Sequence, residues 1–152
     1  MQNASYLESK ILTASPHRLH LMLIEGAIRF GRQAKEALHT GDAVAAASPL
    51  LRTLDIVGEM LVGVRETKTE LTRKIADVYL FIFRRVSQAK INSDAAALAE
   101  AIQLLEYERD TWQQLCLQLG SDAVVAKITP PHLRSFDSGA TNAPKAGISW
   151  QA

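Results

Sequence analysis

The sequence predicts an all-α protein: an antiparallel up-down four-helix bundle with an extended N-terminal lead-in and a flexible C-terminal tail. Two observations support this prediction. Apolar residues recur at helical spacing along most of the chain, and the breaks between these stretches are short, which favours antiparallel neighbours. We find no run of alternating β-branched residues bounded by turn dipeptides that would predict a strand.

The chain divides into three parts. Residues 1–14 form the lead-in, residues 15–120 the bundle and residues 121–152 the tail. In the tail, Ser, Gly, Ala, Thr and Pro replace the helical periodicity, apart from room for a short helix near 122–127. The predicted helices cover about 15–40, 43–65, 67–91 and 95–119.

Local signals mark both ends of the first helix and the end of the fourth. Ser15 can accept a hydrogen bond from the free N–H groups of the first turn. Pro16 suits the first helical position because its φ is already helical. Gly41 and Gly120 are placed to end the first and fourth helices.

The second, third and fourth helices have their own start signals. Ser48 is an alternative start for the second helix, because Pro49 follows it. The pattern from Thr67 to Glu70 matches a capping box at the start of the third helix. The Asn-Ser-Asp turn at 92–94 can cap the fourth helix.

Apolar residues occupy more than one face of each helix. On the first helix we assign the core to the larger set, namely Leu19, Leu23, Gly26, Ala27 and Phe30. Nearly opposite lies a second apolar face, formed by Leu21, Ile24 and Ile28. On the other helices the predicted core includes Leu71, Ile75, Ile82 and Leu105. Outside the core stripes lie Ile56, Leu80 and Phe83.

A bundle helix needs about three apolar positions in seven, and these helices carry more. The extra residues can pack at helix edges or stand singly on the surface. They can also bind a partner that lays amphipathic segments into grooves, or a second copy of the chain. Periodicity alone leaves these alternatives open.

Composition argues against several classes of function. The net charge is +1, from 17 basic and 16 acidic residues without a basic stripe, so we expect no nucleic-acid partner. No signal peptide and no apolar run long enough for membrane insertion is found. The single cysteine, Cys116, fits a reducing cytosol.

The search for catalytic chemistry finds no convincing site. Glycines are scattered, so there is no phosphate-binding loop or dinucleotide fingerprint. His17 and His20 are one turn apart, but no further His or Cys stands at metal-ligand spacing. Glu106 and Asp110 share a charged face with Arg109, which is typical of a solvated surface. We therefore expect no enzyme, no metal and no cofactor.

An ordered set of residues carries a family resemblance. Near the N-terminus the set comprises Tyr6, the block ILTASP at 11–16, Leu19, Met22, Leu23 and the block GAI at 26–28. Further along it comprises Gly41, Asp42, Tyr79, Ala89, Asp94 and Trp112. The pattern resembles the FliS family of flagellar export chaperones that bind flagellin, and it covers about residues 6–119.

The resemblance implies a cytosolic chaperone that binds the disordered C-terminal segment of flagellin, prevents premature polymerisation and assists delivery to the export apparatus. The cytosolic part of FlhA is a further implied partner, as receptor of the chaperone–flagellin complex. With the second faces as grooves, the predicted partner-binding residues are Tyr6, Ile11, Leu12, Leu21, Ile24, Ile28, Ile56, Leu80 and Phe83. Tyr6, Ile11 and Leu12 would cover part of this surface in the free protein. The alternative is a self-associating helical-bundle scaffold.

Overall fold

The structure, a computed structural model, describes residues 4–6 and 15–128. Its four long helices are α1 (Pro16–His39), α2 (Ala43–Arg65), α3 (Glu70–Asn92) and α4 (Ala95–Ile128). No strand occurs in the described ranges, and the predicted all-α class is confirmed. Most of the predicted lead-in and the part of the predicted tail after residue 128 lie outside the described residues.

The predicted cap of the first helix is confirmed. The Ser15 side chain accepts a hydrogen bond from the Arg18 backbone N–H at 3.2 Å, and Pro16 occupies the first turn. After α1 the chain turns through Gly41, which has a φ of 76°. Glycine adopts this left-handed conformation readily because it has no Cβ. Asp42 then accepts from the Ala45 N–H at 2.9 Å, so α2 begins well before its internal proline.

The predicted capping box of the third helix is displaced. Thr69, not Thr67, is the N-cap of α3: its hydroxyl accepts from the Thr72 N–H at 3.1 Å. The Thr72 hydroxyl accepts in return from the Thr69 N–H at 2.9 Å. A threonine can therefore fill the position for which the sequence pattern expects Glu or Gln, while Glu70 lies in the first turn.

The fourth helix begins as predicted but does not end at Gly120. Asp94 accepts from the Ala97 N–H at 3.0 Å at its start. The helix then continues through Gly120 to Ile128. A helical glycine costs only about 1 kcal/mol relative to alanine, and it stops a helix only where the backbone turns left-handed. Gly41 makes that turn and Gly120 does not.

The described residues up to Leu115 form one compact unit. Along α1 and α2, Gly26 faces Ile56 and Phe30 lies near Arg52, so the two helices run antiparallel. Ion pairs join α3 to α4 through Arg85 and Glu100, and α1 to α4 through Arg32 and Glu106. Each helix thus packs beside its neighbour in the chain, and α1 closes the bundle against α4. A second unit begins at Cys116 and contains the rest of α4.

The core of the first unit confirms part of the predicted pattern. Ile82 and Leu105 are fully buried, as predicted, whereas Leu71 is 67% exposed and its assignment to the core was wrong. The buried hydrophobic side chains on α2 and α3 include Leu50, Val57, Met60, Leu61, Tyr79, Ile82 and Val86.

The rotation of α1 about its axis is the main correction. Ile24 is fully buried and Ile28 is 3% exposed, whereas Leu23, predicted as core, is 37% exposed. The reason is the close packing of α4 against α1 at Gly31, where an added Cβ would lie 3.1 Å from Ile102 Cγ1. Because α4 approaches α1 that closely, the side of α1 that carries the isoleucines faces the core.

Candidate partner-binding groove

Exposed apolar side chains line one flank of α2. Val44, Leu51 and Val62 are 88%, 48% and 59% exposed. Leu51 follows Val44 by seven positions and Val62 follows Leu51 by eleven, and both spacings place side chains on the same side of a helix. Since Gly58 lies on the same side and faces Phe83 of α3, this flank borders α3.

The facing flank of α3 is apolar as well. Leu80 and Phe83 are half-buried against the core, and Ile91, eleven positions after Leu80, is 80% exposed. A Cβ added at Gly58 would be 3.8 Å from Phe83 Cε2, so the glycine leaves open space beside the ring. We call this surface the α2–α3 groove; it is formed by Leu51, Leu54, Gly58, Val62, Leu80 and Phe83.

Gly58→Ala should stabilise the fold. The new methyl group would make an ordinary van der Waals contact with Phe83, and alanine is favoured over glycine in a helix by about 0.5–1 kcal/mol. Urea denaturation should show this gain in the free energy of unfolding. Gly31→Ala is the control, since its Cβ would press on Ile102 at 3.1 Å. An equal gain at both positions would contradict the described packing.

Three of the predicted partner-binding residues lie in the core. Leu21, Ile24 and Ile28 are 9%, 0% and 3% exposed, so the prediction that they form an exposed second face was wrong. Both sides of α1 are apolar, and periodicity does not decide which one turns inward. The glycine in the middle of α1, Gly31, was a usable signal of the buried side. Glycine destabilises a helix interior, so its presence there indicates that another helix approaches closely.

The other predicted residues are divided among several places. Leu80 and Phe83 lie together in the α2–α3 groove, and Ile56 is half-buried against α1, where it faces Gly26. Tyr6 is 71% exposed. Ile11 and Leu12 lie outside the described residues.

Sequence reasoning did not select the α2 side of the groove. Leu51 and Val62 were visible as apolar residues outside the predicted core of α2. Leu51 follows Val44 by seven positions and Val62 follows Leu51 by eleven, and this spacing was a usable signal. Gly58 gave no signal by itself, because its role depends on the Phe83 ring of another helix.

A polar cluster inside the bundle was also missed. His20 Nε2 and the Tyr79 hydroxyl are hydrogen-bonded at 2.6 Å, and the Trp112 ring lies 4.2 Å from the His20 ring, measured between centroids. Burial, and then the nearby His17, lower the pKa of His20 to about 4. Burial, and then the Glu108 carboxylate, raise the pKa of Tyr79, while burial raises the pKa of Glu108. At neutral pH His20 is therefore uncharged and Tyr79 keeps its proton.

Within the described part of the chain, no buried side-chain nitrogen or oxygen lacks a hydrogen-bond partner. The same residues include no group of three or more His, Cys, Asp or Glu side chains placed to hold a metal ion. None of the described helices combines the length and the apolar character that crossing a bilayer would require.

The fold defines the class of all-α helical bundles, and the apolar groove on its surface has the form into which an amphipathic segment can lay its apolar face. The family model described as flagellar protein FliS matches residues 1–119. The flagellar secretion chaperone FliS of Salmonella typhimurium is 32% identical over 111 residues, which cover 72% of this chain and 82% of that protein. The chain belongs to the FliS family.

Other relatives carry the same description. The flagellar secretion chaperone FliS of Bacillus subtilis is 30% identical over 110 residues, covering 72% of this chain and 82% of that protein. The flagellar secretion chaperone FliS of Vibrio cholerae is 26% identical over 110 residues, covering 72% and 81%. The match to the family model, residues 1–119, includes the whole of α2 and α3, between which the groove lies.

Proposed function

We propose that this protein is a cytosolic export chaperone that binds the disordered C-terminal segment of flagellin, prevents its premature polymerisation and assists its delivery to the flagellar export apparatus. The cytosolic part of FlhA is the proposed receptor of the chaperone–flagellin complex. Family membership and the shared description of the relatives support the proposal.

The observation that carries the proposal is the α2–α3 groove. Its walls expose Leu51 and Val62 to solvent, and its middle is left open by Gly58. An amphipathic segment can place apolar side chains at i, i+3, i+4 and i+7 into such a groove. Folding of a disordered segment on a surface typically buries about 1,000–3,000 Å² in total. The proposed mechanism is capture by mass action: while the segment is bound, it is not free to assemble.

Leu51→Asp combined with Val62→Asp tests the proposal. Both side chains are about half exposed or more, so the bundle should tolerate the change. A carboxylate in the occupied groove would be buried without a partner, and binding of a flagellin C-terminal peptide should weaken at least tenfold, or about 1.4 kcal/mol. The measurement is a fluorescence anisotropy titration, with circular dichroism to verify the helical content.

Tyr107→Asp is the matched control. Tyr107 is 71% exposed but lies on α4, which does not contribute to the groove, so its variant should bind as the wild type does. Failure of the wild-type protein to bind flagellin would overturn the proposal. A stable wild-type dimer in sedimentation, dissociated by the groove variant, would instead support the self-associating scaffold.

A further inference from the structure

One end of the α2–α3 groove is basic. Arg65 is the last residue of α2, Lys68 lies in the connection, and Arg73 is in the first turns of α3. Their side chains line one cavity of about 360 Å³ together with Val64 and Ala76. Three cations thus converge where the two helices meet.

None of these three cations takes part in an ion pair within the described part of the chain. The ion pairs of the described residues involve other basic side chains, namely Arg32, Lys74, Arg85 and Arg109. Among the residues that line the cavity, Asp77 is the single acid against Arg65, Lys68 and Arg73. The Thr72 hydroxyl is already hydrogen-bonded, because the backbone carbonyl oxygens of Thr67 and Thr69 accept from it. The cavity therefore presents an excess of positive charge to a ligand.

The cavity continues the apolar groove. Arg65 follows Val62 by three positions and Leu80 follows Ala76 by four, so each pair lies on one side of its helix. A segment that places its apolar side chains between Leu51 and Val62 would bring the residues beyond its apolar run to the cations. The excess of two positive charges matches two carboxylates, and a free chain terminus supplies only one.

We propose that the basic cavity binds acidic side chains that flank the apolar run of the partner segment, and that it thereby fixes the direction in which the segment lies in the groove. This inference rests on the proposed function, because it takes the flagellin segment as the occupant. An apolar groove alone accepts a helix in either direction, whereas a charged end distinguishes the two.

Arg73→Glu and Lys74→Glu form the test pair. The two residues are adjacent on α3 and undergo the same charge change, but Lys74 pairs with Glu70 and does not line the cavity. In titrations of the flagellin C-terminal peptide, Arg73→Glu should weaken binding about tenfold at low salt and flatten its salt dependence. Lys74→Glu should change the affinity by less than about twofold.

Peptide variants identify the source of the charge. A peptide whose flanking acids are changed to amides should lose the same affinity, and the loss should not add to that of Arg73→Glu. If amidation of the peptide C-terminus alone causes the loss, the cavity holds the chain end and the inference is wrong. If Arg73→Glu binds normally while Leu51→Asp with Val62→Asp does not, the inference fails and the proposed function stands. If the wild type binds no flagellin peptide, the proposed function fails.

Discussion

Ile24→Asp should unfold the protein. Ile24 is fully buried in the bundle, and a carboxyl group there would lose its hydration without gaining a hydrogen-bond partner. This penalty of several kcal/mol is a large part of the total free energy of unfolding, which is about 5–15 kcal/mol for a domain of this size. Circular dichroism should show a loss of helical signal, or a melting transition far below that of the wild type. Ile24→Ala should fold and lose about 2–5 kcal/mol.

Leu23→Asp is the control for this prediction. Leu23 precedes Ile24 in α1 but is 37% exposed, so its carboxylate can reach water. This variant should melt close to the wild type. If Ile24→Asp melts normally while Leu23→Asp unfolds, α1 is rotated so that Leu19, Leu23 and Phe30 face the core.

The protein should lose stability as the pH falls from about 6.5 to about 4, because of His20. Its pKa is lowered from 6.5 to about 4, so the folded state holds the neutral ring and the unfolded state takes up the proton first. The stability that the protein gains from keeping His20 neutral is therefore fully present above pH 6.5 and is lost on acidification. One pKa unit corresponds to 1.36 kcal/mol of unfolding free energy. Because the His20 ring is partly exposed, we expect a loss of about 2 kcal/mol, which is less than the pKa shift alone would give.

The control for the pH experiment is His20→Gln, whose amide oxygen can accept from the Tyr79 hydroxyl without titrating. Urea denaturation at several pH values should show that the advantage of the wild type over His20→Gln shrinks as the pH falls. Glu108 contributes in the opposite sense, because its raised pKa favours proton uptake by the folded state, but it does so in both proteins. A difference that stays constant from pH 7.5 to 4.5 would contradict the half-buried neutral imidazole of His20.

The sequence predicted the helices better than their rotations. Ser15 with Pro16, Gly41 and Asp94 are local signals, and the structure uses them at the ends of the helices. Gly120 is a signal of the same kind that the structure does not use, because glycine permits a left-handed turn without requiring one.

The candidate site was predicted only in part, for a physical reason. Leu80 and Phe83 were selected because they lie outside the core stripe of α3, and both lie in the α2–α3 groove. Ile24 was selected by the same rule and lies in the core. The rule fails when both faces of a helix are apolar, since the decision then depends on which neighbour approaches more closely, as α4 does at Gly31. Contacts between distant parts of the chain are not visible in the periodicity of one helix.

The order of the helices has a kinetic consequence. Each helix of the first unit packs beside the next one in the chain, so most contacts join residues that are close in sequence, and such topologies fold in microseconds to milliseconds. Contacts between distant parts of the chain include the His20–Tyr79 hydrogen bond from α1 to α3 and the seam between α1 and α4, where Gly31 meets Ile102 and Arg32 meets Glu106. Formation of this seam closes the longest loop of the unit and carries the largest entropic cost of closure. The α2–α3 groove lies outside this seam, so substitutions of its exposed side chains should leave the closure of the seam unchanged.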